Sequence, residues 1–546
     1  MNGLMMDAPL LLSGAIESAA AVHGATEVVA RTVEGGLHRY TYAAAARRCR
    51  QLAQALGHLG VGDGERVGSL AWNTHQHFEL FYGVPGSGAV LHTINPRLHD
   101  DQLVYIINHA EDRWICMDAA TLPLAERLAP RLAGLEGWIF MGAGEALPKT
   151  ALTPIQSYED MLAAEDGTYR WPVFDERRAS TICYTSGTTG VPKGVVYSHR
   201  STLISAMLMS LADMIGGYRS GRLEVVMPVA PLFHANGWQM PYTAPMNGHK
   251  LVLPGRNFEP HLLFELMSAE KVTIAAAVPT VWLSLVEYMR GRDLKLPALR
   301  AALVAGTKAP RSLIEDLEHH GVVVAQTWGM TEAPGVLRTT LPPGTAEKSA
   351  EEQMAVKLRQ GRIGYGTELR LLDDAGKPLP HDGKAIGNLE ARGFCVATGY
   401  YKQDAAVSNG WLSTGDVACI FPDGSVEIVD RAKDIIKSGG EWISSVAIEG
   451  AVLDHPGVRQ AAVIAIAHPR WQERPLLVVA RKPGAEVTED QVLAHLRPRV
   501  AKWWMPDAVV FVDELPMTAT GKVLKQKLRE QFKDFPASRL AAASHL

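Results

Sequence analysis

Strand and helix patterns alternate along the first two-thirds of the chain. Residues 42–60 (YAAAARRCRQLAQALGHLG) carry apolar side chains at helical spacing, and ERVGSLAW at 65–72 is typical of a buried strand. The alternation recurs, strand before helix, at 180–184 with 200–214 and at 273–277 with 279–290. Strands that alternate with helices predict mainly parallel sheets with crossover helices.

The length and a change of texture predict more than one domain. The chain has 546 residues, and single hydrophobic cores stop growing near roughly 250–300 residues. Near residue 360 the pattern changes to short strands joined by D-x-G turns, and a compact α/β segment follows KDIIKSGGEWIS. We expect an N-terminal domain at 1–430 and a C-terminal domain at 431–546, with the boundary at 430–434.

Composition excludes several classes of protein. The 54 basic and 58 acidic residues give a net charge of −4, so no excess of positive charge indicates a nucleic-acid partner. The five cysteines are scattered without C-x-x-C spacing, which argues against a zinc knuckle or redox pair and suits a cytoplasmic protein.

No segment is typical of a membrane span or a signal peptide. The longest clean apolar stretch, 272–286, is interrupted by Pro279 and is shorter than the roughly 20 residues that a span needs. The start of the chain lacks a basic region, and Asp7 and Glu17 interrupt its small apolar residues. We therefore expect neither a transmembrane segment nor a cleaved leader.

The most informative segment is YTSGTTGVPKG at 184–194, between a predicted strand and a predicted helix. Its glycines let the backbone approach an anion, its hydroxyls add donors, and Lys193 adds charge. The segment is not a Walker A loop, because Lys193 lies between Pro192 and Gly194. It predicts a site that holds a polyphosphate. The residues concerned are Thr185, Ser186, Gly187, Thr188, Thr189, Gly190 and Lys193.

This segment resembles the phosphate loop of the adenylate-forming enzymes, which include acyl-CoA synthetases, luciferases and peptide-synthetase adenylation domains. Five further motifs match in the family's order, and together they cover nearly the whole chain. They are APLFHANGW (230–238), TWGMTE (327–332), WLSTGD (411–416), DRAKDIIKSGGEWIS (430–444) and PMTATGKVLK (516–525). The resemblance implies an α/β fold: a large N-terminal domain of two α/β subdomains plus a β-barrel, and a small mobile α+β C-terminal domain.

The resemblance also implies a reaction in two halves. A carboxylate attacks the α-phosphorus of ATP to give an acyl-adenylate and pyrophosphate, and a thiol then releases AMP. It implies that Thr331 bonds the α-phosphate, that Glu332 holds Mg²⁺, and that Asp416 accepts from the ribose hydroxyls. A hard cation prefers carboxylate oxygen, which fits Glu332. The remaining nucleotide-binding residues that it implies are Gly306, Gln326, Thr327, Trp328, Gly329 and Arg431.

In the C-terminal domain, Lys522 resembles the family's catalytic lysine, which bridges the substrate carboxylate and the α-phosphate. The plainer alternative is that Lys522 belongs to a basic helix at 522–531. Lys433 occupies the family's hinge position. Rotation there would bring the CoA-binding segment Ser438, Gly439 and Gly440 toward the pantetheine channel, although two glycines would equally serve a turn.

On the acyl side, the family's match to His234 lies beside the reacting carboxylate. Trp238 matches a tryptophan that gates the fatty-acid tunnel of dimeric long-chain fatty acyl-CoA synthetases, and simple core packing is its alternative. Ala277 and Gly306 complete the predicted acyl pocket. Lys308 departs from the family pattern, which leaves the adenine or pantetheine contacts near it open, and Ile448-Glu449-Gly450 departs from the Glu-Asn ending of the fatty-acid branch.

These features predict an ATP- and Mg²⁺-dependent fatty acid–CoA ligase, a cytoplasmic homodimer. One rival is the same chemistry on a short thioether or aromatic acid. Another is an acyl-AMP ligase that loads a carrier protein, and a third is a binding module without enzymatic activity.

Overall fold

The computed structural model describes residues 3–142, 147–185, 191–210, 223–403, 407–439, 441–517 and 523–535, with the backbone alone at residue 441. In that part of the chain, no helix has the length and apolar character that crossing a membrane requires.

The described chain contains α-helices along its whole length. In chain order they are α1 (Leu12–His23), α2 (Tyr42–His58), α3 (His75–Gly86), α4 (Asp100–Ala110), α5 (Leu122–Leu128), α6 (Tyr158–Ala163), α7 (His199–Ser210), α8 (Ala235–Trp238), α9 (Met240–Met246), α10 (Pro260–Ala269), α11 (Pro279–Arg290), α12 (Arg311–His319), α13 (Ala350–Lys357), α14 (Ser445–Leu453), α15 (Glu489–Leu496) and α16 (Lys525–Gln531).

Strands of the first two-thirds alternate with these helices. They are β1 (Glu27–Arg31), β2 (Leu37–Thr41), β3 (Arg66–Leu70), β4 (Val90–Thr93), β5 (Asp112–Met117), β6 (Gly137–Phe140), β7 (Ile155–Ser157), β8 (Ala179–Tyr184), β9 (Gly194–Ser198), β10 (Val225–Pro228), β11 (Lys250–Leu253), β12 (Ile274–Ala277), β13 (Ala301–Val304), β14 (Val323–Gln326) and β15 (Leu337–Arg338).

The remaining strands follow α13 and are mostly antiparallel. They are β16 (Arg362–Ile363), β17 (Thr367–Leu372), β18 (Pro378–Leu379), β19 (Ile386–Gly393), β20 (Val407–Ser408), β21 (Trp411–Ile420), β22 (Val426–Arg431), β23 (Ile436–Ser438), β24 (Glu441–Ile443), β25 (Val458–His468), β26 (Gln472–Arg481) and β27 (Ala508–Val512).

Two seven-stranded sheets form the larger part of the molecule. The first sheet has the order β7-β6-β5-β3-β4-β8-β9, and the second has the order β14-β13-β12-β10-β11-β1-β2. All neighbours pair in parallel except β8 with β9 and β1 with β2, which each add one antiparallel edge strand. Helices cover these sheets, which confirms the predicted α/β class.

Two smaller sheets contain the short strands predicted after residue 360, and a third forms the C-terminal domain. The order β18-β17-β19-β21-β20, with β22 beside β21, is antiparallel, and β15 pairs with β16. The C-terminal sheet has the order β24-β23-β26-β25, with β27 parallel to β26. Separate apolar clusters on its two faces give this domain its own core.

Asn73 joins the two large sheets where their strands end. This fully buried residue follows β3, and its side-chain amide donates to Pro228 O, at the end of β10, at 3.0 Å and to Ala230 O, two residues later, at 3.1 Å. Its side-chain oxygen accepts from Leu232 N at 2.9 Å, and its backbone pairs with Gly255. The carboxyl ends of β3 and β10 are therefore held together, at the edge where open α/β sheets bind ligands.

We predict that Asn73→Asp destabilises the protein although the side chain keeps its shape. A carboxylate cannot donate, so the carbonyls of Pro228 and Ala230 lose their partner, at a cost of about 1–3 kcal/mol for each unsatisfied group. Urea unfolding followed by tryptophan fluorescence measures the loss. Asn95→Asp is the matched control, because Asn95 only accepts, from Arg97 N at 3.0 Å, and a carboxylate preserves that bond. Equal stability of the two variants would contradict the role of Asn73.

Candidate active site

A cavity of about 1630 Å³ opens beyond the carboxyl ends of the large sheets and extends to the C-terminal domain. It collects residues from all the sequence motifs. The predicted site residues that line it are Thr185, Lys193, His234, Trp238, Gly306, Thr327, Trp328, Gly329, Thr331, Glu332, Asp416, Arg431 and Lys433.

A left-handed turn, which comprises α8 and Gln239, forms one wall of this cavity. Residues 235–239 all have positive φ: 45° at Ala235, 55° at Asn236, 59° at Gly237, 53° at Trp238 and 63° at Gln239. This conformation costs L-residues roughly 1–2 kcal/mol each. Only one of the five is glycine, so the surrounding structure must hold the turn in place.

Asn236 supplies one such restraint. It is fully buried, and its amide donates to Thr181 Oγ1 at 2.9 Å in β8. Its oxygen accepts from the Cys183 thiol at 3.1 Å. Burial raises the pKa of Cys183 to about 11, so the thiol keeps the proton that it donates. The turn is thereby fastened to the strand that leads into the predicted phosphate loop.

The wall behind Trp238 is apolar. Met240, Ala276 and Leu303 are buried in one cluster, and Trp238 and Met209 pack against it. All five residues line the cavity. Trp238 is half-buried, so it has both a packed face and a face toward the cavity.

Ala277 does not lie on this wall. It is buried among the residues of a different core cluster, on the other face of β12, and its neighbour Ala276 lines the cavity. Successive strand residues point to opposite faces, which accounts for the displacement by one position.

Two tyrosine hydroxyls hold the Thr331–Glu332 pair. Tyr197 in β9 donates to Thr331 O at 2.5 Å, and Tyr400 donates to Glu332 Oε1 at 2.8 Å. The backbone of Glu332 is also fixed, because Ala397 N donates to its carbonyl at 2.8 Å. Glu332 is only 6% exposed, yet it lines the cavity. Its carboxylate is therefore oriented by a neutral donor, the Tyr400 hydroxyl.

Both arms of the predicted phosphate loop reach the cavity. Thr185 N donates to Lys193 O at 2.9 Å, and Lys193 N donates to Thr185 Oγ1 at 3.2 Å, which closes the base of the loop. The Lys193 ammonium lies 4.7 Å from the centre of the Tyr400 ring, within the range of a cation–π contact.

Asp416 lies in β21 of the antiparallel sheet, lines the cavity and is 2% exposed. Trp328 Nε1 donates to its Oδ2 at 2.8 Å, and Arg431 Nε lies 2.8 Å from its Oδ1. Each carboxylate oxygen can accept a further bond. The three residues come from three separate motifs and meet only in the folded chain.

Gly306 and Gln326 mark the adenine side of the resemblance. Gly306 has φ +90° and lines the cavity. Gln326 lies behind the lining, where its side chain accepts from Ala309 N at 2.9 Å and donates to Lys357 O at 2.7 Å. Lys308, the departure from the family pattern, lies 2.6 Å from Glu427 in β22. The charge of Lys308 is thus matched by a carboxylate.

The C-terminal domain faces the cavity through α14, α16, Met517 and Val523. Met517 and Val523, which flank the undescribed segment 518–522, line the cavity, as do Lys433 and Lys525. Lys525 Nζ lies 2.8 Å from Glu449 and 2.6 Å from Ser445 Oγ, so it is bound within its own domain.

Ser438 and Gly439 are held elsewhere in the C-terminal domain. Ser438 is fully buried, and its carbonyl accepts from Trp503 Nε1 at 3.3 Å. A Cβ on Gly439 would lie 3.1 Å from the Trp471 ring and 3.3 Å from the Trp503 ring. Two indole rings therefore pack around this segment.

Several predicted site residues lie outside the described residues. They are Ser186, Gly187, Thr188, Thr189, Gly190, Gly440 and Lys522.

Three residues that contact the predicted site were not predicted from the sequence: Tyr197, Asn236 and Tyr400. Asn236 lies inside the motif APLFHANGW, in which only His234 and Trp238 were predicted to be site residues. Tyr400 lies in TGYYK at 398–402, a pair of aromatic residues between a glycine and a lysine. That aromatic pair after a glycine was the available signal for Tyr400.

Known protein families and proteins resemble this chain along most of its length. The AMP-binding enzyme family model matches residues 16–401, and the AMP-binding enzyme C-terminal domain model matches residues 447–522. The chain is 43% identical over 538 residues to a 3-methylmercaptopropionyl-CoA ligase of Ruegeria lacuscaerulensis, covering 98% of this chain and 99% of the relative. It is 44% identical over 538 residues to a long-chain-fatty-acid–CoA ligase of Thermus thermophilus, covering 97% of each.

A solved structure matches the same extent of the chain. The crystal structure of an anthranilate CoA ligase in complex with anthranoyl-AMP aligns with a TM-score of 0.84 at 25% identity, covering 98% of this chain and 99% of that one. The matches span the two large sheets, the antiparallel sheets and the C-terminal domain together. This chain belongs to the family of AMP-binding enzymes.

Proposed function

We propose that this protein is an ATP- and Mg²⁺-dependent fatty acid–CoA ligase. A carboxylate oxygen bonds to the α-phosphorus of ATP as the bond to pyrophosphate breaks. The thiol sulfur of CoA then bonds to the acyl carbon, and AMP leaves. The observation that carries the proposal is the single cavity in which Lys193, Glu332, Asp416 and the turn at 234–238 converge.

The nucleotide would lie against the residues that the sheets bring together. Asp416 would accept from the ribose hydroxyls, since it is a carboxylate with two acceptor oxygens and it lines the cavity. Thr331 would donate to the α-phosphate, and Lys193 with the loop 185–190 would hold the other phosphates. Gly306, Thr327 and Gly329 would contact the adenine with their backbone, while Gln326 acts through the loop at Ala309.

Glu332 fits a magnesium site. It is a carboxylate that faces the cavity with its orientation fixed by Tyr400. Among the described residues there is no group of three or more His, Cys, Asp or Glu side chains suited to a metal. One carboxylate is enough for Mg²⁺, which is commonly bound by one or two carboxylates, water and substrate phosphates. The ion, when bound, would neutralise phosphate charge.

The acid would enter between His234 and the apolar wall. His234 precedes the left-handed turn, and Trp238, Met240, Ala276 and Leu303 line the same cavity. Such a wall suits a hydrocarbon or thioether chain better than a charged one. The two relatives that act on 3-methylmercaptopropionate and on long-chain fatty acids are nearly equally similar to this chain, so a short thioether acid is the second candidate substrate.

For the second half-reaction we propose a rotation of the C-terminal domain, residues 431–546, about Lys433. Met517 and Val523 beside Lys522 face the cavity, whereas Gly439 packs against Trp471 and Trp503. This supports an arrangement suited to adenylation. Rotation would withdraw Lys522 and bring the segment 438–440 to the pantetheine of CoA.

We also propose a cytoplasmic homodimer. All five cysteines, which lie among the described residues, are unpaired, and this suits a reducing compartment. The dimer rests on the resemblance to dimeric long-chain fatty acyl-CoA synthetases.

The proposed activity is tested with the purified full chain, ATP, Mg²⁺ and CoA, and a series of acids from acetate to stearate with 3-methylmercaptopropionate and benzoate added. Acid-dependent ATP–pyrophosphate exchange together with acyl-CoA formation is expected, with kcat/KM highest for a fatty acid. Highest kcat/KM for 3-methylmercaptopropionate would favour the second candidate. Exchange without any acyl-CoA, but with transfer to a carrier protein, would contradict a CoA ligase.

Lys522→Ala is expected to abolish adenylation and to leave thioester formation from supplied acyl-AMP. The ammonium is required only where the carboxylate meets the α-phosphate, and loss of a charge used in the transition state costs about 10²–10³ in rate. Rapid-quench assays of each half-reaction measure the two rates. Lys527→Ala, on the exposed side of α16, is the matched control. An equal loss in both half-reactions would argue against this assignment.

Trp238→Ala is expected to shift chain-length preference toward longer or bulkier acids. The indole borders the cavity four residues after His234, so its removal opens volume for the acyl chain, worth about 1–3 kcal/mol for each methylene-sized difference. If Trp238 serves only as core, truncation instead costs roughly 3–5 kcal/mol of stability. The kcat/KM profile over the acid series, measured beside thermal unfolding, separates the two. A lowered Tm with an unchanged profile would rule out the gate.

A further inference from the structure

Tyr400 contacts two groups of opposite charge with different parts of its side chain. Its hydroxyl donates to Glu332 Oε1 at 2.8 Å, and the face of its ring receives the Lys193 ammonium at 4.7 Å from the ring centre. All three side chains line the same cavity. The position of Tyr400 is thus defined by both partners.

The backbone around Tyr400 is tied to the same two places. Ala397 N donates to Glu332 O at 2.8 Å, and Tyr401 N donates to Gly194 O, next to Lys193, at 2.7 Å. Ala397 and Tyr400 also pack against a buried cluster of Cys183, Val195 and Tyr197. Both ends of the segment 397–401 are anchored, so the side chain of Tyr400 is held at a fixed place between the loop and Glu332.

Opposite charges that face one cavity attract each other, and the attraction strengthens as water is excluded. A direct ion pair between Lys193 and Glu332 would occupy the carboxylate oxygens with ammonium protons. The Tyr400 side chain gives each charge a neutral partner instead.

We propose that Tyr400 is a positioning residue that keeps Glu332 oriented for a divalent cation and keeps Lys193 from pairing with it. This inference rests on the proposed function, because it requires Glu332 to hold Mg²⁺ beside the nucleotide. Tyr400 would thereby hold the Glu332 carboxylate and the Lys193 ammonium in position before the nucleotide binds.

The test measures cation binding directly. Mn²⁺ serves as the probe, with α,β-methylene-ATP as the nucleotide, and electron paramagnetic resonance reports the bound fraction for the full chain. Tyr400→Phe removes only the hydroxyl. We expect Mn²⁺ affinity to fall about 10–100-fold, as is typical when the partner of a metal ligand is lost, while the affinity for the nucleotide without metal stays near that of the wild type.

A second variant separates the ring from the hydroxyl. Tyr400→Leu removes both, and we expect the loss of Mn²⁺ affinity together with a raised KM for ATP, because Lys193 is free to pair with Glu332. Adding Lys193→Met to Tyr400→Leu should then recover part of the Mn²⁺ affinity, measured at a saturating nucleotide concentration because Lys193 would also hold the phosphates. No recovery in the double variant would overturn the claim that Tyr400 separates the charges.

Tyr401→Phe is the matched control. The neighbouring ring packs near His109, with ring centres 5.6 Å apart, and its variant should bind Mn²⁺ as the wild type does. Thermal unfolding of every variant verifies that it is folded.

Glu332→Gln distinguishes this inference from the proposed function. Wild-type Mn²⁺ affinity in Glu332→Gln would overturn the metal site itself, and the role of Tyr400 with it. A large loss in Glu332→Gln with wild-type affinity in Tyr400→Phe would overturn only the role of Tyr400.

Discussion

The hydrogen bonds of one buried asparagine set the frame on which the cavity is built. Asn73 leaves the end of β3 in the first sheet and satisfies backbone groups at 228–232 in the second. Those groups lie at the end of β10 and just beyond it, and buried carbonyls without a partner are costly. With the carboxyl ends of β3 and β10 held together, loops from both sheets open into one cavity, and we propose that the nucleotide and the acid meet there.

Strain and charge are concentrated on this frame. The turn at 235–239 is unfavourable in isolation, and Asn236 helps to hold it by bonding to β8, the strand before the phosphate loop. The turn beside the apolar wall and the predicted phosphate loop are thus both supported by β8. Tyr197 in β9 similarly holds Thr331, and Tyr400, which lies between β19 and β20, holds Glu332. Rigid supports of this kind are what transition-state electrostatics requires.

The sequence was informative wherever local pattern decides structure. The alternation predicted the parallel sheets, and the helix predicted at 42–60 is α2, which ends at His58. It could not predict that β1 and β2 join the second sheet beside β11, because that pairing spans more than two hundred residues. Nor could it tell Ala276 from Ala277, since a strand buried on both faces carries no alternation. The role of Tyr400 could not be predicted either, because its partners Glu332 and Lys193 are distant in sequence.

A crystal structure with an acyl-sulfamoyl adenosine, a stable mimic of the acyl-adenylate, tests the central claim most directly. We expect the ribose hydroxyls at Asp416, the sulfamoyl group at Thr331, and the acyl chain passing His234 along Trp238, Met240 and Leu303. A ligand bound outside this cavity, or an acyl chain directed away from the turn at 235–239, would contradict it.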